Sequence, residues 1–478
     1  MDRELRQPGV FTRQCFAEHL GLGYIASQLV KEGHEVKLMY QDSSPSVFAR
    51  KLIDTKPDIL CATSMTYTHP LTRDILSLVK SELPKVKTIL GGDHVSGWPK
   101  SADDIAINYI VLGEGEDTTT DLVREIEKGV KIIEDKGNID IPGIGYYKEG
   151  EGVILTSPRE RRTNLDELPF PFRTEELLDN TAFYSVMDPP SSKIKRLGAV
   201  IYSRGCPFNC DQCGSKNTLG LKTRWRTAKN VVDEMQDLRD RFGINALVFY
   251  DLTFNLRKDK VLELCKEIKS RELQKDIHWY TIVRIADNLG RPLLDREMLQ
   301  EMYDAGCRKI GYGIESFDEG LQGSYNKSIA KNLMEDILQT ADEIGILNRG
   351  FMMLSPYETR ASLDAAKDML RKLPLYEIRF SCLTPYPGTP FYEQCKQRGI
   401  ILSDDFSRYT SDEIILKPST FTIQELYDAR WNVCKDFINS PEYRARVRKK
   451  IRQNPNFEQG FREYFDRLKK EGIMNWSL

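Results

Sequence analysis

An apolar strand signal, Ala199 to Tyr202, runs straight into Cys206, Cys210 and Cys213, and this junction constrains the fold more than any other stretch. Thiolates are soft ligands suited to iron–sulfur clusters or zinc. Three of them in one short loop can hold three irons of a [4Fe–4S] cube. The fourth iron is then open to a ligand's own oxygen and nitrogen. A structural zinc loop wants four ligands, commonly as paired C-x-x-C units, and no fourth His or Cys lies near Cys213. Cys15, Cys61, Cys265, Cys307, Cys382, Cys395 and Cys434 are scattered along the chain. Most of them read as reduced, buried thiols, since a disulfide scaffold would be short and cysteine-dense.

Strand and helix signals alternate after that junction. A helix from Thr227 carries Val231, Met235, Leu238 and Phe242 on one face and stops at Gly243. Strands are expected at Ala246 to Asp251, Trp279 to Val283, Lys309 to Ile314, Gly350 to Leu354 and Ile378 to Leu383. Six strands separated by helices predict a partial (β/α) barrel whose site lies at the carboxyl ends of its strands. The stretches ending them are Tyr250-Asp251-Leu-Thr253-Phe-Asn255, Arg284, Gly313-Ile-Glu315-Ser316 and Leu383-Thr384.

The first 130 or so residues alternate in the same way. A stripe of Leu22, Ile25, Leu29 and Val30 ends at Gly33, and a strand is expected from Glu35 to Tyr40. Asp58 to Ser64 is a continuous apolar run, as in a strand covered on both faces. Strands at Thr88 to Leu90 and Tyr109 to Leu112 complete a doubly wound α/β pattern, with Gly91, Gly92, Gly113 and Gly115 at the strand ends where ligands bind. Residues 1–9 are polar and offer no opening strand, so the sheet is expected to lack one. Residues 136–195, with Asp166-Glu-Leu-Pro-Phe-Pro-Phe-Arg173, read as a connector with little regular structure. The expected division is 1–135, connector 136–195, barrel 196–400 and a helical carboxyl-terminal region 401–478.

A chain of 478 residues with 40% hydrophobic and 29% charged residues is ordinary for a multidomain globular protein. The net charge of −2 makes no case for a chain-wide nucleic-acid or membrane surface. No apolar run is long enough to cross a bilayer, and the charged start lacks a signal core, so a cytoplasmic protein is expected. The basic run Tyr443 to Arg452 could bind phosphates. Phe457, Phe461, Tyr464 and Leu468 recur behind it at helical spacing, which favours an amphipathic helix pair capping the barrel.

The C-x-x-x-C-x-x-C of Cys206, Cys210 and Cys213 after a first barrel strand resembles the signature of the radical S-adenosylmethionine (SAM) superfamily, over roughly residues 197–400. The resemblance implies that the three cysteines hold a [4Fe–4S] cluster and that SAM chelates its open iron. One electron then cleaves SAM to a 5′-deoxyadenosyl radical. It also implies SAM contacts from Asp251, Thr253, Arg284, Glu315, Ser316, Leu383 and Thr384, with the Arg284 fork pairing with the cofactor carboxylate. The family usually has an aromatic residue before the third cysteine, where this chain has Gln212.

An α/β domain ahead of such a barrel resembles the cobalamin-binding branch. Gly21-Leu-Gly-Tyr-Ile-Ala, Gly91-Gly-Asp-His-Val-Ser96 and Leu112-Gly-Glu-Gly-Glu-Asp-Thr118 carry the match. It implies cobalamin contacts from Ser64, Thr66, Gly91, Gly92, His94, Gly113, Glu114 and Gly115. No D-x-H-x-x-G appears, so neither His69 nor His94 is expected to ligate cobalt. The implied reaction is C-methylation of a small molecule at an unactivated carbon. The alternative is a dehydratase, cyclase or rearrangement enzyme whose first domain binds no cobalamin. A tRNA methylthiotransferase would carry three further amino-terminal cysteines, where this chain has Cys15 and Cys61. A low-potential electron donor such as flavodoxin or ferredoxin is implied as a partner.

Overall fold

A computed structural model describes residues 18–41, 43–103, 106–129, 141–148, 150–178, 196–324 and 329–476. The expectation for residues 1–9 lies outside them. The amino-terminal sheet has five strands in sequence order: Ile59–Thr63, Lys87–Gly91, Tyr109–Val111, Ile144–Lys148 and Gly152–Leu155. The first three pair parallel, with Leu60 beside Thr88 and Ile89 beside Tyr109. The last two add an antiparallel hairpin, with Tyr109 opposite Tyr146.

Three expectations are corrected. Ile59–Thr63 is half-buried along its whole length because it forms an edge of the sheet, not a covered interior strand. Residues 35–40 form no strand, since their backbone has no ladder partner among the described residues. The connector is more regular than its composition suggests: Gly145 lets the hairpin lie against the sheet, where a Cβ would meet Leu155 and Ile110 within 3 Å. The first helix, Leu20–Lys31, buries Leu20, Gly23, Tyr24, Ala26 and Leu29 and leaves Val30 exposed, a face turned slightly from the expected stripe.

The second sheet is all parallel and runs in sequence order through Leu197–Val200, Ala246–Phe249, His278–Val283, Cys307–Glu315, Leu347–Leu354 and Glu377–Cys382. Its two end strands are unpaired with each other, so this is the expected open six-stranded barrel. Ile310, Tyr312 and Ile314 alternate outward onto helices carrying Met334, Ile337 and Leu338. The helix Ala228–Phe242 starts at Thr227, whose hydroxyl accepts from the Asn230 N–H, and stops at Gly243 in a left-handed conformation. The amino end of the barrel is closed by charge: Lys309 and Arg349 both pair with Glu377, all three buried.

The tail folds as helices Ile423–Asn439, Pro441–Gln453 and Glu458–Lys470. Phe457, Phe461, Tyr464 and Leu468 are buried, as the helical spacing requires. Two cations of the basic run turn inward. Lys450 pairs with Asp342 at 2.7 Å, and Arg446 donates to the carbonyls of Leu375 and Arg371.

Candidate functional site

The cysteines sit on a pinched hairpin. Ser203–Arg204 pairs antiparallel with Arg224–Trp225, and the chain between them carries all three thiols. Gly205 precedes Cys206 at φ +90, where a Cβ would lie 2.3 Å from the carbonyl oxygen of Lys222. Only glycine suits that left-handed, crowded position. The Cys206 N–H bonds the Gly220 carbonyl, which closes the loop. Cys206 and Cys210 are half-buried, Cys213 is exposed, and all three are free thiols.

Asp251 anchors the hairpin from below. Its carboxylate accepts from the N–H of Tyr202 at 3.0 Å and from the N–H and hydroxyl of Ser203. Burial pushes its pKa up to about 6 against those bonds. The Thr253 hydroxyl stands 3.5 Å from Cys206 Sγ. Arg284 lies with its guanidinium 3.9 Å from the Phe208 ring centroid, and Nη1 is 3.9 Å from Cys210 Sγ. Asn255 holds the Arg284 backbone on both sides, accepting from its N–H and donating to its carbonyl. Asp251, Thr253 and Arg284 therefore converge on the cysteine loop.

Glu315 and Ser316 lie across the barrel at the end of the fourth strand. Glu315 has φ +66 beside a register shift between Gly313 and Glu315. Ser316 caps the next turn, its hydroxyl accepting from the Asp318 N–H. Leu383 packs on Leu321, and the Thr384 hydroxyl donates to the Cys382 carbonyl.

The amino-terminal set lines the carboxyl edge of the other sheet. Ser64 Oγ lies 3.2 Å from His69 Nδ1, and Thr66 Oγ1 lies 3.2 Å from His94 Nδ1. Gly91 closes the second strand and Gly92 turns the chain at φ +102 against Ser64. The Gly113 N–H bonds Ser96 Oγ, and Gly115 precedes the helix Glu116–Glu127. His94 is buried beneath Phe406 and Trp98. Burial, aided by His69 stacked at 4.2 Å, lowers its pKa to about 3, so it is neutral.

Glu114 is the meeting point of the two halves. It accepts from Arg204 at 2.9 Å and from Arg224 at 2.6 Å, the two arginines that bracket the cysteine hairpin. Arg204 also pairs with Glu116 at 2.7 Å. The short helix Ser215–Leu219, directly after Cys213, touches the same edge, with Thr218 bonded to Asp93. Beside this junction a cavity of about 190 Å³ is lined by Gly113, Glu114, Gly143, Arg161, Arg204 and Asn217 among others.

The donor sets fit the implied cofactors. Three free, soft thiols share one hairpin, with the Thr253 hydroxyl 3.5 Å from Cys206 Sγ and Arg284 Nη1 3.9 Å from Cys210 Sγ, a donor set suited to an iron–sulfur cluster. For a corrinoid, His94 Nε2 is buried with no hydrogen-bond partner among the described residues, beside the strand-end turns at Gly92 and Gly113, both with positive φ. Phe208, Asn255, Arg204, Arg224 and Phe406 were not singled out from the sequence. Asn255 closes the Tyr250–Asn255 stretch, and Arg204 sits two residues before Cys206, but nothing local in the sequence names their partners.

Comparison with known proteins gives the same two parts. Residues 9–123 match the B12 binding domain family and residues 200–370 the Radical SAM superfamily. An uncharacterized methyltransferase of Pyrococcus horikoshii is 30% identical over 413 residues, covering 85% of this chain and 84% of its own. The anaerobic magnesium-protoporphyrin IX monomethyl ester cyclase of Cereibacter sphaeroides is 25% identical over 87% of this chain and 66% of its own. Among solved structures, the radical SAM methyltransferase TsrM of Kitasatospora setae, with cobalamin and a [4Fe–4S] cluster bound, superposes with a TM-score of 0.66 at 17% identity. It covers 87% of this chain and 85% of its own.

Proposed function

Because this chain belongs to the radical SAM superfamily, in the branch that carries a B12 binding domain, we propose that it methylates an unactivated carbon of a small molecule. The observation that carries this reading is Glu114. It ties the loop that follows the third strand of the B12-binding sheet to both strands of the cysteine hairpin. A methyl donor in one domain and a radical source in the other must act on the same substrate carbon, and this contact fixes one against the other.

When bound, the cluster and SAM supply a hydrogen-abstracting radical, and the corrinoid supplies the methyl group. Cys206, Cys210 and Cys213 hold the cluster. Asp251 and Gly205 set the angle at which the hairpin presents it. Ser64, Thr66, His94 and the glycines at Gly92 and Gly113 would hold the corrinoid. Glu315, Ser316, Leu383 and Thr384 frame the SAM side of the barrel mouth. Ile282, exposed by 37%, and the half-buried Phe351 lie together inside the mouth near Gly311. These apolar side chains, with the Tyr280 hydroxyl beside them, suit a substrate that presents mostly hydrocarbon. A flavodoxin or ferredoxin supplies the electron in this reading, and the protein works in the cytoplasm. Among the described residues no helix is long and apolar enough to cross a membrane.

The test is an anaerobic reaction of the reconstituted, hydroxocobalamin-loaded protein with methyl-deuterated SAM and a small-molecule extract. Label in a small molecule, with both S-adenosylhomocysteine and 5′-deoxyadenosine formed, supports methylation. A second reading, cyclisation, rests on the similarity to the Cereibacter enzyme. There 5′-deoxyadenosine forms, the substrate is oxidised and no label transfers. Neither nucleoside product would overturn both.

A further inference from the structure

The family resemblance implies that Arg284 pairs with the cofactor carboxylate, and its side chain also makes several bonds within the protein. Nε donates to the Ala286 carbonyl at 2.7 Å and Nη2 to Asn288 Oδ1 at 2.7 Å. One face of the guanidinium lies over Phe208, midway between Cys206 and Cys210 on the cysteine loop. Nη1 points at Cys210 Sγ from 3.9 Å. The residue is buried, and its backbone is clamped on both sides by Asn255. A bidentate carboxylate pair needs two neighbouring N–H groups on one edge of the fork. Nε and one N–H of Nη2 already donate, so the edge of the fork that carries Nε is taken.

We propose that Arg284 is a positioning residue for the cluster: its charged Nη1–H donates to the Cys210 thiolate and stabilises the reduced, more negative cluster. Hydrogen bonds and positive charge at a cluster sulfur raise its reduction potential. The low dielectric around a buried guanidinium strengthens that effect. Phe208 and Asn288 serve the same end by holding the guanidinium plane where Nη1 faces the sulfur. This inference rests on the cluster assignment to the three cysteines and is independent of which carbon the enzyme modifies.

The test is an EPR-monitored redox titration of the reconstituted full chain before any SAM is added. A role confined to the SAM carboxylate can have no effect under those conditions. Arg284→Gln should keep its iron and show a lower midpoint, with the reduced fraction at a fixed potential falling by about tenfold. Arg284→Lys, which keeps the charge but not the fork, should fall between the two. Iron content separates a failed cluster assignment from a failed inference, since the former leaves the wild-type chain without a cluster. An unchanged midpoint in Arg284→Gln, with SAM binding weakened instead, would overturn the inference. If Arg284→Gln cannot hold a cluster, Asn288→Ala decides: it removes the acceptor that orients Nη2 while the guanidinium charge remains. A smaller downward shift supports the proposal, and an unchanged midpoint with full iron overturns it.

Discussion

Gly97 and Gly388 meet backbone to backbone, so closely that a Cβ on Gly388 would lie 2.0 Å from the Gly97 carbonyl oxygen. Gly97 ends the short helix Asp93–Gly97 on the B12-binding sheet, and Gly388 follows the sixth barrel strand. The Asn217 amide, four residues after Cys213, donates to the Gly388 carbonyl at 3.1 Å. Three segments that bear on both cofactors are thus joined at one point without any side chain between two of them. Gly388 also has φ +82. Gly388→Ala should therefore cost about 1–3 kcal/mol from backbone strain, plus the separation of the two loops. Thermal unfolding would show a lower midpoint, whereas Gly399→Ala, with φ +62 in open space, should show the smaller, strain-only loss.

Serine at Cys206, Cys210 or Cys213 removes one thiolate from a half-exposed loop and leaves the core untouched. Each single variant should fold, lose most of its iron after reconstitution and form no 5′-deoxyadenosine. Circular dichroism, iron analysis and product chromatography check the three statements. Cys265→Ser, buried in the barrel wall, should keep the cluster and lose stability instead.

The Glu114 contact predicts a large effect from a small change. Arg204, Arg224 and Glu114 are all nearly buried, with side-chain exposures of 7%, 4% and 11%. Removing one charge from such a group leaves the others uncompensated and costs about 3–5 kcal/mol. Glu114→Gln should lower the denaturation midpoint accordingly. It should also raise 5′-deoxyadenosine formation relative to methylated product as the domains lose alignment. The exposed pair Arg124–Asp121 on the same domain should contribute less than about 1 kcal/mol when broken.

His94 gives the amino-terminal domain an acid sensitivity. Its pKa falls from 6.5 to about 3 through burial. A depressed histidine contributes stability that is fully present above pH 6.5 and is lost as pH falls toward 3, at about 1.4 kcal/mol per pH unit. Denaturation midpoints measured between pH 7 and 5 should decline in the wild type, and His94→Gln should remove that part of the slope.

Much of the fold was legible because periodicity is local. The helix Ala228–Phe242 was readable end to end from Thr227, its apolar stripe and Gly243. All six barrel strands lie where apolar runs placed them, to within three residues. Misreadings arose where a strand's state depends on its neighbours. Residues 58–64 have an interior composition, yet Ile59–Thr63 lies at an edge because of what pairs with it. Residues 144–155 sit in a polar, glycine-containing stretch, yet they complete the sheet.

The same division runs through the site. The sequence by itself determined the cluster loop, because three thiolates and a strand before them lie within a few residues and their chemistry needs no partner from elsewhere. It also determined the two-part architecture, because strand and helix periods persist over each part. Only the tertiary structure decided what the strand-end residues do. Asp251 braces the hairpin, Glu114 joins two domains and Arg284 turns to a cysteine, each through bonds to residues 48 to 110 positions away. A side chain's donors and acceptors are fixed by its type, but which of them remain available to a ligand depends on contacts between distant segments. Those contacts exist only once the chain has folded.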